Sequence, residues 1–79
     1  MNKLKEVRLS KGLTQKQLAE AANINVRVLQ HYEQGSKNFD HARIDTILNV
    51  CNTLECRLSD IVQSEDILHI VEQYEKSHS

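Results

Sequence analysis

Apolar residues recur along this chain at spacings of three and four, and nowhere do they alternate with polar ones long enough to make a strand. In "NKLKEVRLSKG", Leu4 and Val7 share a helical face, and Gly12 supplies a left-handed stop. Thr14 stands where an N-cap belongs, its hydroxyl able to accept from the first-turn amides of a second helix, "QKQLAEAA". Leu18, Ala21 and Ala22 point inward with Ala19, whose small side chain lets another helix approach closely.

The stretch "EAANINVRV" then holds two asparagines two positions apart, in a chain with two glycines and no proline. Asparagine tolerates positive φ better than any residue except glycine, because its short amide bonds locally. Asn23 therefore reads as the left-handed end of the second helix. Ile24 plugs into the core, and Asn25 caps a third helix, "VRVLQHYEQG", that stops at Gly35. Two short helices joined by so tight a turn sit near 90–120° to each other, roughly as in other helix-turn-helix units.

Further on, Asp40 is expected to cap "HARIDTILNVCNTLE", with Ile44, Ile47, Leu48, Cys51 and Leu54 as its inward stripe. "CRLSDIV" makes a short fifth helix around Leu58 and Ile61. Ser64 caps a last one, where Glu65 and Asp66 suit the positive end of the helix dipole. Its Ile67, Ile70, Val71 and Tyr74 fall at i, i+3, i+4 and i+7. The tail "KSHS" is expected to fray.

Seventy-nine residues, 39% hydrophobic and 27% charged, fit one soluble domain with a modest core and little room for an enclosed active site. No apolar run approaches the roughly 18–20 residues that span a bilayer, and "MNKLKEVRL" lacks the pattern of a signal peptide. The expected setting is cytoplasmic, with no membrane partner. Cys51 and Cys56 fit a reducing compartment and read as two buried thiols, and no disulfide between them is expected. They lack metal-site spacing, the four histidines are scattered, and neither metal nor cofactor is expected. No nucleophile–base arrangement, phosphate loop or HExxH motif points to an enzyme.

The net charge of −1 argues against a nucleic-acid partner until it is divided. Residues 1–39 carry seven basic and three acidic side chains, and residues 40–79 carry three and eight. That asymmetry is expected of a basic face on an acidic body.

These residues resemble the Cro/repressor (XRE-type) helix-turn-helix family. The likeness runs from about Leu4 to Val62, through "LTQKQLAEAANI", "NVRVLQHYEQGSK" and "TILNVCNTLECRLSDIV". It implies an all-α, compact five-helix λ-repressor-like DNA-binding domain over residues 1–63. An additional C-terminal helix follows in 64–79. Asn23 and Glu55 stand where the family usually has glycine, and "NFDHA" at 38–42 departs from the common pattern.

By this resemblance, a recognition helix of about residues 26–34 enters the major groove of double-stranded DNA. Val26, Arg27, Gln30 and His31 then face base edges. Arg27 suits guanine N7 and O6, Gln30 suits adenine, Val26 a thymine methyl, and His31 can donate or accept. For each, the plainer alternative is a solvated side chain on an exposed helix face. Val28 is either part-buried or set against backbone sugar. Gln15, Lys16, Lys37 and Asn38 are expected at phosphates, Gln15 and the amides beyond Gly35 gripping from helix termini. Arg8 and Glu33 are implied as a structural pair, the alternative being an Arg8 left for phosphate. Tyr32 packs its ring inward.

The expected function is a sequence-specific transcriptional regulator, a repressor acting as a homodimer. Ile67, Ile70, Val71 and Tyr74 either form its self-complementary seam or fold back onto their own core. A rival reading is an antitoxin that binds a toxin through helices four to six and autoregulates its operon. A third is a protein-interaction module that has lost DNA binding.

Overall fold

The computed structural model describes residues 2–78 and is helical throughout, with no strand among them. The elements are α1 (Lys3–Ser10), α2 (Gln15–Ala21), α3 (Val26–Gln34), α4 (Ile44–Leu54), α5 (Leu58–Ile61) and α6 (Glu65–His78). A single 3-10 turn, Phe39–His41, stands between α3 and α4. The all-α, five-helix domain with one added C-terminal helix is therefore what the chain forms. No described helix is long and apolar enough to cross a membrane.

Three helices end by one device. Gly12, Asn23 and Glu55 take φ of 72°, 59° and 53°. After each, the next amide reaches five residues back: Leu13 to the Arg8 carbonyl, Ile24 to Ala19 and Cys56 to Cys51, at 3.3, 2.9 and 3.1 Å. This is the Schellman closure, which satisfies carbonyls that a helix end otherwise leaves open. Leu13, Ile24 and Cys56 then pack against the core. The two positions without glycine thus keep the left-handed turn, and Glu55 does so with an ordinary side chain.

Starts are equally local. Thr14 and Gln17 exchange bonds of 3.0 and 2.8 Å in a capping box, and the Asn25 side chain accepts from the Arg27 amide at 2.8 Å. The core these turns enclose is small. Leu4, Leu18, Leu29, Phe39, Val50, Leu54 and Ile61 are at most 1% exposed. Full burial of each contributes about 1.5–3 kcal/mol. Ala19 and Ala22 lie between α2 and its neighbours without filling space, and α2 packs on both α3 and α4.

Several sequence expectations are corrected. Asp40 does not cap α4. It lies in the 3-10 turn, and its carboxylate accepts the amides of Gln63 and Ser64 at 2.8 and 2.6 Å. The α4 helix starts later, after Arg43, with no side-chain cap. Its buried face is Ile47, Val50, Cys51 and Leu54, whereas Ile44 and Leu48 are 64% and 47% exposed. The reason is coverage: neighbours pack on one flank of a stripe that is wider than they are. Ala21 faces solvent, and Cys56 is half-buried rather than buried. Helix α6 runs through His78, so "KSH" is helical, while Ser79 lies outside the described residues. Tyr32 turns inward as expected, its ring edge-on to Phe39 at 5.3 Å.

Candidate nucleic-acid interface

The buried anchor of α3 comes first, because everything on its outer face depends on it. Arg8 Nε donates to Glu33 Oε2 at 2.6 Å and Arg8 Nη2 to Oε1 at 3.0 Å, a two-pronged pair with 7% and 2% side-chain exposure. Arg8 Nη1 also donates to the Leu13 carbonyl at 2.7 Å. A charge this deep is tolerated only when its partners are all in place. Arg8 therefore ties α1 to α3 and is not an arm for phosphate.

The network continues outward. Gln15 Nε2 donates to Glu33 Oε1 at 3.0 Å, and Gln15 Oε1 accepts from Gln30 Nε2 at 3.4 Å. Gln15 was expected to grip phosphate with its side chain. Instead its amide is held between Glu33 and Gln30, leaving one N–H for an outside acceptor. What remains for phosphate at the start of α2 is the backbone ahead of Gln17, whose own amide Thr14 already takes, with exposed Lys16 beside it.

On the outer side of α3, Arg27 and His31 stand one helical turn apart and are both exposed. Gln30, half-buried, lies beside them with its carbonyl oxygen uncommitted. His31 Nδ1 lies 2.8 Å from Ser36 Oγ, and that hydroxyl donates to the His31 carbonyl at 3.3 Å. The pairing with Ser36 engages Nδ1, so Nε2 is the ring nitrogen left for an outside partner. Val26 is drawn partly into the core, and Val28 is half-buried.

Past Gly35, which takes φ 83°, Lys37 and Asn38 are exposed. The Lys37 amide is not open to phosphate, since it donates to the His31 carbonyl at 3.2 Å. The Asn38 side chain accepts from the Asp40 amide at 3.0 Å. Lys37 thus offers an anion its ammonium rather than its backbone, and Asn38 keeps its side-chain N–H groups. Sequence reasoning missed Ser36 and the Gln15–Glu33 bond. A serine five residues after a histidine carries little signal, and a bond between residues 18 apart carries none.

On the flank formed by α4, α5 and α6 lies an open groove of about 520 Å³, lined chiefly by apolar side chains including Leu48, Leu58, Ile70, Val71 and Tyr74. Cys51 and Cys56 also line it, both as free thiols. Burial first, then the Cys56 thiol and the carboxylates of Asp60 and Glu75, pushes Cys51 up to about 12. Burial also raises Cys56, less the effect of its hydrogen bond with Cys51. Neither is a ready thiolate. Among the described residues, no three His, Cys, Asp or Glu side chains cluster as metal ligands.

Comparison with protein families gives a match to a model described as helix-turn-helix, of the Cro/C1 type, over residues 4–61. Neither the curated proteins nor the solved structures gave a match.

Proposed function

Because the chain belongs to the Cro/C1-type (XRE) helix-turn-helix family, and is thereby a DNA-binding transcriptional regulator, we propose that it is a repressor that reads its operator as a homodimer. Arg27, Gln30 and His31 carry base readout in this reading, with Val26 as a lesser contact to a thymine methyl. Lys16, Lys37, Asn38 and the α2 backbone amides ahead of Gln17 hold the phosphates and set affinity rather than sequence choice. One observation supports this most: Arg27 and His31 project from a helix whose opposite side is locked by Leu29 and the Arg8–Glu33 pair. A reading surface must be held in place to discriminate, and the burial of Leu29 and the pairing of Glu33 support that reading of this one.

The homodimer follows from reach. A single recognition helix covers one half-site, and related arrangements pair two half-sites about 34 Å apart. Ile67, Ile70, Val71 and Tyr74 on α6 are the seam in this reading, and the units 1–63 and 64–79 divide reading from pairing. Repression then needs only occupancy of a promoter. The antitoxin alternative draws on the same apolar flank with a toxin in place of the second copy, and a protein of fixed stoichiometry co-purifying with the chain would favour it.

Selection of bound duplexes from a random pool tests the proposal. The expected result is a palindrome with half-sites one or two turns apart. Arg27→Ala should relax one base pair in each half by about 1–3 kcal/mol and leave weak nonspecific binding. Uniform loss over all sequences would move Arg27 to the phosphates, and no enrichment at all would end the reading.

A further inference from the structure

His31 stands on the exposed side of α3, and among the described residues its ring bonds one side chain, that of Ser36. Nδ1 lies 2.8 Å from Ser36 Oγ, a short contact for a surface pair. Ser36 belongs to no helix. It follows Gly35, whose φ of 83° turns the chain back over the last turn of α3. The backbone is tied to α3 on both sides of it: the Gly35 amide donates to the Tyr32 carbonyl at 3.3 Å, and the Lys37 amide to the His31 carbonyl at 3.2 Å. That same His31 carbonyl lies 3.3 Å from Ser36 Oγ. The loop therefore sets the hydroxyl against the ring.

An exposed histidine is a poor reader of sequence unless something orients it. Its ring turns about two side-chain torsions. In the neutral form either nitrogen can carry the proton, so Nε2 donates in one form and accepts in the other. A ring free to do both matches donor and acceptor base edges alike. Ser36 removes that freedom at Nδ1, leaves Nε2 for the groove and favours one proton arrangement over the other. It also orders the ring before DNA arrives, which lowers the cost of binding. Arg27, one turn earlier, needs no such help, because a guanidinium only donates.

We propose that Ser36 is a positioning residue for base readout: its hydroxyl fixes the His31 ring so that Nε2 presents a single hydrogen-bonding role to one base pair. The proposal rests on the reading of His31 as a base contact, and it adds a residue outside the recognition helix to the specificity of that contact. Ser36 itself touches no base in this arrangement.

Titrations of the selected operator and its single-base-pair variants test it with Ser36→Ala, Ser36→Thr and His31→Ala. Ser36→Ala should cut discrimination at the base pair that His31→Ala relaxes, by about three- to tenfold, the worth of one hydrogen bond. Other positions and the salt dependence should not move, because no charge is lost. Ser36→Thr keeps the hydroxyl and should restore the preference. Added to His31→Ala, Ser36→Ala should change nothing more. Long-range proton–nitrogen NMR spectra of the free protein in mild alkali give a readout that a merely structural serine would leave alone. The His31 ring should hold one tautomer in the wild type and in Ser36→Thr, and a mixture in Ser36→Ala. Undiminished discrimination in Ser36→Ala, beside a His31→Ala that relaxes one pair, overturns the positioning role and leaves the reading of His31 intact. Equal weakening of every duplex by Ser36→Ala makes the hydroxyl a phosphate ligand and overturns that role too. A His31→Ala protein as selective as the wild type overturns the reading of His31, and the role of Ser36 with it.

Discussion

The carboxylate of Asp40 accepts the backbone amide of Ser64 at 2.6 Å and that of Gln63 at 2.8 Å. One side chain just beyond the Lys37–Asn38 loop thus fixes where α6 begins. Gln63 reinforces the join by accepting from the Lys3 amide at 3.2 Å. Asp40→Ala should cost about 1–3 kcal/mol, because two part-buried amides lose a charged acceptor. Hydrogen exchange checks it: first-turn amides of α6 should lose protection ahead of α3. Unchanged exchange in α6 would mean that its start is held by something else.

How far this join was legible explains what sequence reads well. The Thr14 cap, the Asn23 stop and the Asn25 start are all legible in the sequence, because each is settled within five residues; the Gln17 half of the Thr14 capping box is not part of that reading. Asp40 was assigned to the helix that follows it, when it serves one that begins 25 residues later. The α4 stripe failed in the same way: periodicity names an apolar face, but only tertiary packing decides that Val50 is covered and Ile44 is not. On the outer face of α3, the exposure of Arg27 and His31 follows from the helix register. The bond between Gln15 and Glu33 does not.

Breaking the Arg8–Glu33 pair should be among the most damaging single changes. Glu33→Met leaves a guanidinium 7% exposed with the Leu13 carbonyl as its remaining protein partner. The expected loss is about 3–5 kcal/mol, a large part of the stability of so small a domain. The double variant Arg8→Met/Glu33→Met should recover much of it, since no buried charge is then stranded. Urea unfolding of the four proteins in the cycle checks this, and simple additivity of the two losses would refute it.

Glu55 holds φ 53° at the end of α4, where a side chain is strained against the following carbonyl. Glu55→Gly should raise stability by about 0.5–1 kcal/mol, relief of strain exceeding the entropy cost of glycine. Asn23→Gly, at φ 59°, should change it by only a few tenths, because asparagine already bonds locally in that region. Thermal unfolding of both variants is sufficient, and the order of the two effects is the prediction.

The thiol of Cys51 makes stability fall in alkali. Unfolded, it ionises near 9.0; folded, burial first and then neighbouring Cys56, Asp60 and Glu75 keep it protonated to about 12. Its contribution is complete below pH 9.0 and declines as pH rises toward 12, because only the unfolded chain releases the proton. The slope is about 1.4 kcal/mol per pH unit across that window. Subtracting the profile of Cys51→Ala from that of the wild type isolates the effect from lysine and tyrosine. Parallel profiles would show the thiol ionising alike in both states.

Gln15 offers the sharpest division between holding a reading group and gripping the backbone. Its amide lies between Glu33 and Gln30, at 3.0 and 3.4 Å, so its removal should free the Gln30 carboxamide to rotate. Gln15→Leu should therefore relax preference at the base pair read by Gln30, by about 1 kcal/mol at the low end of a bidentate contact. The salt dependence of binding should not change, because no charge is lost. Lys37→Ala should do the opposite, weakening all sequences alike and lowering the slope of log affinity against log salt by about 0.9. Titrations of cognate and single-substituted duplexes at several salt concentrations separate the two. If Gln15→Leu weakens every duplex equally, the amide acts on phosphate through its remaining N–H, and the network from Arg8 to Gln30 serves stability alone.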